Sequence, residues 1–548
     1  MASRTARTLD ADQPGSRAPH DDRDKLRGGY YTPPELADQL AAWAVADGAR
    51  RVLEPSAGDG AFVRALARHV APGAHVDAVE LFPSEAAKIG SDASATVSSG
   101  DVFAWFARTR PEPYDAVVGN PPFIRYQKFP EEHRAAGFAL MNDEGLRPNR
   151  LTNAWVPFVV LATKALRPGG RLAMVLPAEL LQVTYAGELR SYLVRQYSHL
   201  TVMTFRRLVF SGIQQETVLV MGTKRTVDDP LPGTMSFVEL DTAADLTGTV
   251  AREPVLVDLE HDREKWTQYY LSPSELGLLR EIEISDAFTT LGELASVDVG
   301  VVTGRNEFFV LTPSQADARG VRDHCLRLVG RSAQIPGLVL RDAEWEALVE
   351  GDGRCLLLQL GRTPRPELSL LALAYVEEGE ERGHHEGYKC RIRLPEWWYV
   401  PSTHVPDAFL LRQIHDGPRI IVNEAGATST DTIHRVRTEP GVDPGWLAAA
   451  SMNSVTFAFS EVRGRSYGGG VLELEPNEAD GLPFPKPNGT PLPLADLDLW
   501  ARRKDAEQVL TEVDRLVLLT AGLSASEIDL VRGVWRKLSA RRAGRKRR

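Results

Sequence analysis

The feature that most restricts the fold of this chain is a regular alternation of short apolar segments with helical segments through residues 51–225. The apolar segments have the length and composition of buried strands, and apolar residues at helical spacing separate them. The predicted strands lie, in chain order, within residues 51–55, 75–81, 96–105, 114–120, 169–177, 199–210 and 216–225. Strands that alternate with helices predict a parallel sheet with helices on both faces. We therefore expect an α/β fold built on a mostly parallel, seven-stranded sheet.

A loop that contains glycine, EPSAGDG, joins the first predicted strand to its helix at residues 54–60. Gly58 and Gly60 allow the backbone to turn tightly and to approach a ligand closely. The loop is neither G-x-G-x-x-G nor a phosphate-binding loop. Glu54 at its entry would repel a pyrophosphate but would suit a cationic ligand such as a sulfonium. An ordinary turn between a strand and a helix is the alternative interpretation.

Two further acidic residues follow the next two predicted strands. Glu80 ends the second strand, about twenty residues beyond the glycines, where a carboxylate can accept both hydroxyls of a ribose. Asp101 follows the third strand and could accept a hydrogen bond from an adenine amino group, with Val102 or Phe103 against the ring. Any one of these acids would more often be a solvated loop residue. Together with Glu54, they stand at three successive strand ends, which favours a single nucleoside site.

The fourth predicted strand runs directly into Asn120-Pro121-Pro122-Phe123. Proline has no N–H to donate to a sheet, so the two prolines end the strand and stiffen the chain that follows. Asn120 is left at the carboxyl edge of the sheet, where ligands bind in open α/β folds. A simple strand-ending turn is the alternative, because Asn-Pro and Pro-Pro are common in turns.

The order of these motifs resembles that of the gamma-type, TaqI-like N6-adenine DNA methyltransferases of restriction–modification systems. The segments that carry the resemblance are GGYYTPPELA (28–37), EPSAGDG (54–60), VEL (79–81), GDVF (100–103), GNPPF (119–123) and GGRLAMVLP (169–177). It is close across residues 28–225 and weaker beyond them. It implies S-adenosylmethionine as the cofactor and no metal. The residues that it places around the cofactor are Tyr31, Thr32, Glu54, Ser56, Ala57, Gly58, Gly60, Glu80, Asp101, Val102 and Asn120.

The resemblance also gives the Asn-Pro-Pro-Phe motif a chemical role. An adenine N6 amine is a poor nucleophile because its lone pair is delocalised into the ring. The side-chain oxygen of Asn120 and the backbone carbonyl of Pro121 could accept its two N–H groups, and Pro122 helps to hold them rigidly. Phe123, where tyrosine is also common in the family, offers a stacking face for a base extruded from a duplex. An aromatic residue between the last two strands, Phe210, is the candidate for the opposite face.

The regular alternation stops at about residue 228, and a mixed α+β region follows. The predicted organisation is a disordered leader (1–27), a methyltransferase catalytic domain (28–270), a DNA target-recognition domain (271–500) and C-terminal helices with a basic tail (501–548). Two loops of the recognition domain combine basic side chains with glycine, which fits contacts to phosphates or base edges. Surface or ion-paired roles are the alternative for any single arginine. The candidates for DNA contact are Arg305, Asn306, Arg465 and Tyr467.

Composition narrows the class of protein. The formal net charge of −10 argues against a uniformly basic nucleic-acid binder, although local patches remain compatible with it. Three widely spaced cysteines disfavour a zinc cluster or a disulfide framework and fit the cytoplasm. We expect a monomer that acts on double-stranded DNA, with a separate cognate restriction endonuclease left open. The alternatives are an RNA adenine-N6 or protein glutamine-N5 methyltransferase and a DNA-binding specificity subunit without catalysis.

Overall fold

The computed structural model describes residues 32–89, 95–205, 217–231, 233–246, 255–256, 265–467 and 470–543. The predicted leader, Tyr31, Phe210 and the end of the basic tail lie outside the described residues. The chain divides into two compact units between Trp266 and Thr267, close to the predicted domain boundary. Within the described ranges, no helix combines the length and the apolar character that crossing a membrane would require.

The first unit is built on one large sheet. Its strands are β1 Arg51–Glu54, β2 His75–Glu80, β3 Ala95–Ser99, β4 Tyr114–Gly119, β5 Leu166–Pro177, β6 Tyr197–Phe205, β7 Thr217–Lys224, β8 Thr234–Leu240 and β9 Val255–Leu256. Their order across the sheet is β3-β2-β1-β4-β5-β7-β6-β8-β9. Strands β1 to β5 pair in parallel, whereas β7 is antiparallel to both β5 and β6. The mostly parallel sheet that the alternation predicts is confirmed.

The sheet is larger than the seven strands that the sequence predicts. Strand β8 pairs in parallel with β6 along its whole length, and β9 pairs antiparallel with β8. The predicted strands end at residue 225, before the irregular region that begins at about residue 228, and β8 and β9 lie within that region. The sheet therefore extends past the point where the alternation in the sequence stops.

Helices cover the sheet of the first unit. They are α1 Pro34–Val45, α2 Ala61–His69, α3 Pro83–Ala86, α4 Val102–Thr109, α5 Glu131–Asp143, α6 Trp155–Ala165, α7 Glu179–Gln182 and α8 Gly187–Gln196. Val118 and Val175 belong to the apolar cluster that the sheet forms with α1 and α2. Alternation along each strand turns Val117 and Met174, which are also fully buried, to the opposite face. The sequences of the central strands are continuous apolar runs because helices cover both of their faces.

The second unit is a mixed α+β structure with several smaller sheets. Its strands are β10 Phe288–Thr290, β11 Ala295–Asp298, β12 Val310–Leu311, β13 Cys325–Val329, β14 Val339–Leu340, β15 Leu356–Leu358, β16 Ala408–Leu411, β17 Gln413–Ile414, β18 Ile420–Asn423, β19 Thr428–Ser429, β20 Ile433–Thr438, β21 Arg465–Tyr467, β22 Val471–Glu473 and β23 Pro483–Pro485. The sheets have the orders β11-β20-β16-β18-β14, β12-β15-β13-β19, β17-β22-β21 and β10-β23.

Helices surround these sheets. They are α9 Pro273–Ile284, α10 Leu291–Leu294, α11 Asn306–Phe309, α12 Pro313–Ala318, α13 Asp342–Glu350, α14 Leu370–Glu381, α15 Tyr388–Arg391, α16 Pro444–Ala450, α17 Ser454–Arg463, α18 Pro476–Asp480, α19 Leu494–Arg502, α20 Ala506–Val513 and α21 Ala525–Ala543. Helix α9 starts where its sequence indicates, because Ser272 and Glu275 form a capping box ahead of the apolar face. The C-terminal helices belong to this unit: Arg542 of α21 forms a buried ion pair with Glu461 of α17.

Candidate active site

A cavity of about 240 Å³ lies at the carboxyl edge of the sheet in the first unit. A single water needs roughly 10–15 Å³ of such space, so the cavity accommodates an organic ligand. The parallel strands β1, β2 and β4 end at this edge, and the loops that follow them form its walls. The predicted site residues that line it are Thr32, Glu54, Ser56, Ala57, Gly58, Glu80, Asp101, Val102, Asn120 and Pro122.

The other predicted residues of this half fall into two groups. Gly60, Pro121 and Phe123 are not among the residues that line the cavity, and Tyr31 and Phe210 lie outside the described residues. Gly60 acts on the backbone instead, because it precedes helix α2 with φ +89°. A Cβ there would be strained and would stand 3.1 Å from the side chain of Ile89. The glycine is therefore needed to turn the loop into the helix.

Glu80 connects the end of β2 to the glycine loop. Its Oε2 accepts a hydrogen bond from the Gly58 N–H at 2.8 Å, and its Oε1 accepts one from the Phe82 N–H at 2.9 Å. Burial raises the pKa of the Glu80 carboxyl, and the two backbone N–H groups oppose that rise. A carboxylate oxygen can accept more than one hydrogen bond, so both oxygens keep the capacity to accept from a ligand hydroxyl.

Glu54 is the most deeply buried acid of the cavity, with 1% of its surface exposed. Burial raises the pKa of its carboxyl well above the ordinary value, and the negative charges of Glu80 and Asp59 raise that pKa further. Its Oε2 has no hydrogen-bond partner among the residues that the structure describes. A buried carboxylate in this state is costly unless it meets a positive charge. The donor set of the cavity therefore fits a cationic ligand.

Asp101 stands at the start of helix α4 and is held from two sides. Its Oδ1 caps the helix by accepting the Ala104 N–H at 2.8 Å. Its Oδ2 lies 2.9 Å from Nδ1 of His133, which comes from helix α5 and also lines the cavity. Nearby, the rings of Phe103 and Phe158 meet edge to face, with centroids 5.0 Å apart. The carboxylate of Asp101 is thus oriented toward the cavity by its neighbours.

The segment after the Asn-Pro-Pro-Phe motif supplies lining residues that the sequence analysis missed. They are Ile124, Lys128, Phe129, Pro130 and His133, and Phe158 joins them from helix α6. The segment has neither strand alternation nor a glycine motif, so no local pattern marks these residues as part of a site. Only the path of the chain around the sheet edge brings them to the cavity.

Asn120 ends strand β4 and ties three separate segments together. Its Nδ2 donates to the Thr32 hydroxyl at 3.2 Å, and its backbone carbonyl accepts from the Ser56 hydroxyl at 3.2 Å. Thr32 belongs to the Y-Y-T-P motif and Ser56 to the glycine loop. Because Thr32 receives the amino end of the Asn120 amide, it determines which end of that amide is the acceptor.

The chain beyond Asn-Pro-Pro-Phe is anchored by Asn153, at the entry to helix α6. The Asn153 Oδ1 accepts the Tyr126 N–H at 3.1 Å. Its Nδ2 donates to Glu179 Oε2 at 3.1 Å and to the Tyr185 hydroxyl at 2.8 Å. Glu179 follows strand β5, so this network links the loops after β4 and β5. It fixes the path of the loop that carries Phe123.

The candidates for DNA contact are in the second unit and differ in their surroundings. Arg305 is exposed and precedes helix α11, which begins with Asn306. Arg465 instead forms an ion pair with Glu478, with Nε and Oε1 2.8 Å apart. Tyr467 ends strand β21, and its side chain lies outside the described part of the structure.

Comparison with known proteins matches both parts of the chain. The family model "Eco57I restriction-modification methylase" matches residues 82–210, and "Type II methyltransferase M.Eco57I, C-terminal domain" matches residues 263–518. The Type II methyltransferase M.AccI of Acinetobacter calcoaceticus is 20% identical over 82% of this chain and 83% of its own length.

Two further comparisons are more limited. The tRNA1(Val) (adenine(37)-N6)-methyltransferase of Aeromonas hydrophila is 32% identical but matches only 25% of this chain and 56% of its own length. The solved structure of the Type IIL restriction-modification enzyme MmeI in complex with DNA has a TM-score of 0.54 at 12% identity. It covers 93% of this chain and 75% of that chain. The likeness to MmeI concerns the fold alone.

Proposed function

The chain belongs to the restriction–modification methyltransferase family, and we propose that it methylates adenine N6 at a defined sequence in double-stranded DNA. Its first unit has the class I methyltransferase fold, and its cofactor is S-adenosylmethionine, as expected. The gamma subtype, the adenine target and base flipping are parts of the proposal. The observation that carries it is the position of Asn120 in the wall of the cavity that Glu54, Glu80 and Asp101 also line.

Different residues of the cavity would bind different parts of the cofactor. Glu80 would accept the ribose hydroxyls with oxygens already oriented by Gly58 and Phe82, and Asp101 would accept the adenine amino group. Glu54 would compensate the positive charge of the sulfonium. When bound, the cofactor supplies an electrophilic methyl group. Each carboxylate is thus assigned the part of the cofactor that its hydrogen-bond partners and its burial fit.

The target amine would be held by the Asn-Pro-Pro-Phe motif. The Asn120 side-chain oxygen and the Pro121 carbonyl accept its two N–H groups, which localises the lone pair on nitrogen. The nitrogen then bonds to the methyl carbon as the carbon–sulfur bond breaks, and the extra proton leaves to solvent afterwards. No general base with a tuned pKa is required. Phe123, on the loop anchored by Asn153, would stack on the extruded base.

Three comparisons support DNA adenine as the target. The name of the tRNA enzyme specifies adenine N6, and its match lies within a quarter of this chain. The match to M.AccI and the model of the M.Eco57I C-terminal domain extend over the second unit, which a small RNA methyltransferase does not need. We therefore favour DNA over RNA and over a protein amide. We propose further that the chain acts as a monomer. A cognate endonuclease, where the system has one, would be a separate protein, since this sequence contains no convincing D…E-x-K nuclease motif.

Expression in a host without DNA methylation, followed by modification-sensitive sequencing, tests the proposal. We expect N6-methyladenine in one sequence context and none with Asn120→Ala, although that variant should bind S-adenosylmethionine within about tenfold of the wild type. Asn142→Ala, which changes an exposed asparagine of the same unit, is the matched control. DNA without N6-methyladenine, or equal methylation by the Asn120→Ala variant, would refute the assignment. Methylated RNA or protein in place of DNA would support the corresponding alternative.

A further inference from the structure

One surface of the second unit exposes basic and apolar side chains together. It is formed by the loop 302–306 and by the segment 387–394, which includes helix α15. We call it the basic ridge, and its members are Arg305, Tyr388, Lys389, Arg391, Ile392 and Arg393. Tyr388 is 66% exposed and Ile392 is 61% exposed, so apolar surface lies directly beside the basic side chains.

The two segments of the basic ridge are packed tightly enough to act as one surface. A Cβ on Gly304 would lie 2.5 Å from the Cβ of Lys389. A Cβ on Gly387 would lie 2.9 Å from Nε of Arg305. Each segment therefore has a glycine where a side chain of the other segment crosses it.

Hydrogen bonds and core packing hold the same arrangement. The guanidinium of Arg393 donates to the carbonyls of Thr303 and Val302, at 2.9 Å and 2.7 Å. Cys390 and Trp397 are buried in the apolar core of the unit on either side of this contact. The exposed side chains between them are presented by a fixed backbone.

The charges of the basic ridge lack the partners that other arginines of the unit have. Arg305, Lys389 and Arg391 form no ion pair with any residue that the structure describes. By contrast, exposed Arg365 pairs with both Glu377 and Glu380. The acids nearest in sequence, Glu307 and Glu386, are exposed and not within ion-pair distance of the ridge.

Uncompensated positive charge beside exposed apolar groups suits a polyanion that also offers flat surfaces. The chain as a whole has a net charge of −10, so positive charge gathered on one ridge is a local feature. A folded protein partner would require an acidic patch of matching shape, whereas a nucleic-acid duplex presents phosphates at regular spacing. These features favour DNA as the occupant.

We infer that the basic ridge binds the sugar–phosphate backbone of duplex DNA through Arg305, Lys389 and Arg391, with Tyr388 and Ile392 against sugars or base edges. The inference rests on the proposed function, since it assigns the surface through which the same substrate is held. Arg393 has a positioning role, because its guanidinium is committed to backbone carbonyls.

The test measures binding of the full chain to a mixed-sequence duplex of about 30 base pairs at several salt concentrations. The Lys389→Gln/Arg391→Gln double variant should bind more weakly, and the slope of log affinity against log salt should fall by about two units, one per phosphate contact. Tyr388→Ala should lower affinity without changing the slope, because it removes no charge. Arg365→Gln changes another exposed arginine, one that has carboxylate partners; it is the matched control and should bind like the wild type.

If cofactor affinity and melting temperature are the same in every variant as in the wild type, each variant is folded. A double variant that keeps the wild-type affinity and salt slope, in a protein that binds and methylates DNA, would overturn the ridge assignment alone. A wild-type chain that neither binds the duplex nor methylates DNA would overturn the proposed function and the ridge with it.

Discussion

At the scale of single residues, the cavity is defined by carboxylates whose surroundings differ. Glu80 and Asp101 each accept backbone N–H groups, and Asp101 also contacts His133. Glu54 has an unpartnered oxygen among the described residues and a strongly raised pKa. Two predictions follow from this difference, one for each kind of carboxylate.

Glu54 should make cofactor binding depend on pH. A cationic ligand favours the ionised carboxylate, so binding releases a proton from Glu54, and affinity rises with pH above the ordinary carboxyl value of 4.5. S-adenosylhomocysteine has the same amino group but no sulfonium charge, so its affinity should rise less over the same range. Calorimetry of both ligands from acidic to neutral pH measures the difference. The difference between the two pH dependences should disappear in Glu54→Gln. Identical pH profiles for the two ligands in the wild type would refute the proposed role of Glu54 in compensating the sulfonium charge.

His133 should act as a positioning residue for Asp101. His133→Ala removes one hydrogen-bond partner of the carboxylate, so we expect S-adenosylmethionine to bind about tenfold more weakly, the effect of roughly 1.4 kcal/mol. The preference for S-adenosylmethionine over an analogue with an oxygen in place of the adenine amino group should fall as well. The reason is that Asp101 is no longer aligned to accept a hydrogen bond from that amino group. His133→Asn, which keeps a donor, should restore part of the preference. His69→Ala, which removes an exposed histidine paired with Asp38, is the control. An unchanged preference in His133→Ala would reject the role.

At the scale of elements, the loops after β4 and β5 are joined before any ligand arrives. Asn153 at the entry to α6 binds the backbone of Tyr126, Glu179 after β5 and the hydroxyl of Tyr185. The Asn-Pro-Pro-Phe loop is therefore stiffened by its prolines at one end and by this network at the other.

Asn153→Ala should separate target binding from cofactor binding. The loop that carries Phe123 loses its anchor, so we expect kcat to fall by roughly tenfold to a hundredfold through misalignment of the target base. Cofactor affinity should change little, because Asn153 does not line the cavity. Single-turnover methylation and equilibrium cofactor titration measure the two effects, with Asn142→Ala as control. A loss of cofactor affinity as large as the loss of rate would contradict the assignment.

At the scale of the whole molecule, the chain separates cofactor chemistry from the proposed DNA recognition. Among the residues that the structure describes, those that line the cavity all belong to the first unit, and those of the basic ridge belong to the second. The second unit has its own core, which includes Phe308, Trp397 and Phe409. Each unit thus has the apolar interior that an independent fold requires.

A chain that ends at residue 266 should therefore bind S-adenosylmethionine but should not select a DNA site. All described residues of the cavity are retained, whereas the surface proposed to read DNA is removed. Calorimetry with the cofactor and methylation mapping on genomic DNA measure the two properties. Methylation confined to the wild-type sequence context by this fragment would overturn the proposed division of labour.

The sequence by itself determined seven strands of the nine-stranded sheet and the polar residues at strand ends. Strand periodicity is local, and parallel strands bring their carboxyl ends to one edge, so Glu54, Glu80, Asp101 and Asn120 could be placed together before the structure was known. The expected fold and cofactor are confirmed, while the individual roles of these residues remain predictions. Sequence patterns predicted these features because both depend on backbone geometry within a few residues.

Only the tertiary structure decided which groups act on those residues. His133 and Asn153 come from segments without periodicity, and β8 lies beyond residue 228, where the alternation of strands and helices has stopped. Arg305 and Arg465 have similar sequence surroundings, yet Arg465 is paired with Glu478 and Arg305 forms no ion pair with a described residue. Partners of this kind depend on which distant residues the fold brings within a few ångströms. That proximity is a property of the packed chain, and no local pattern encodes it.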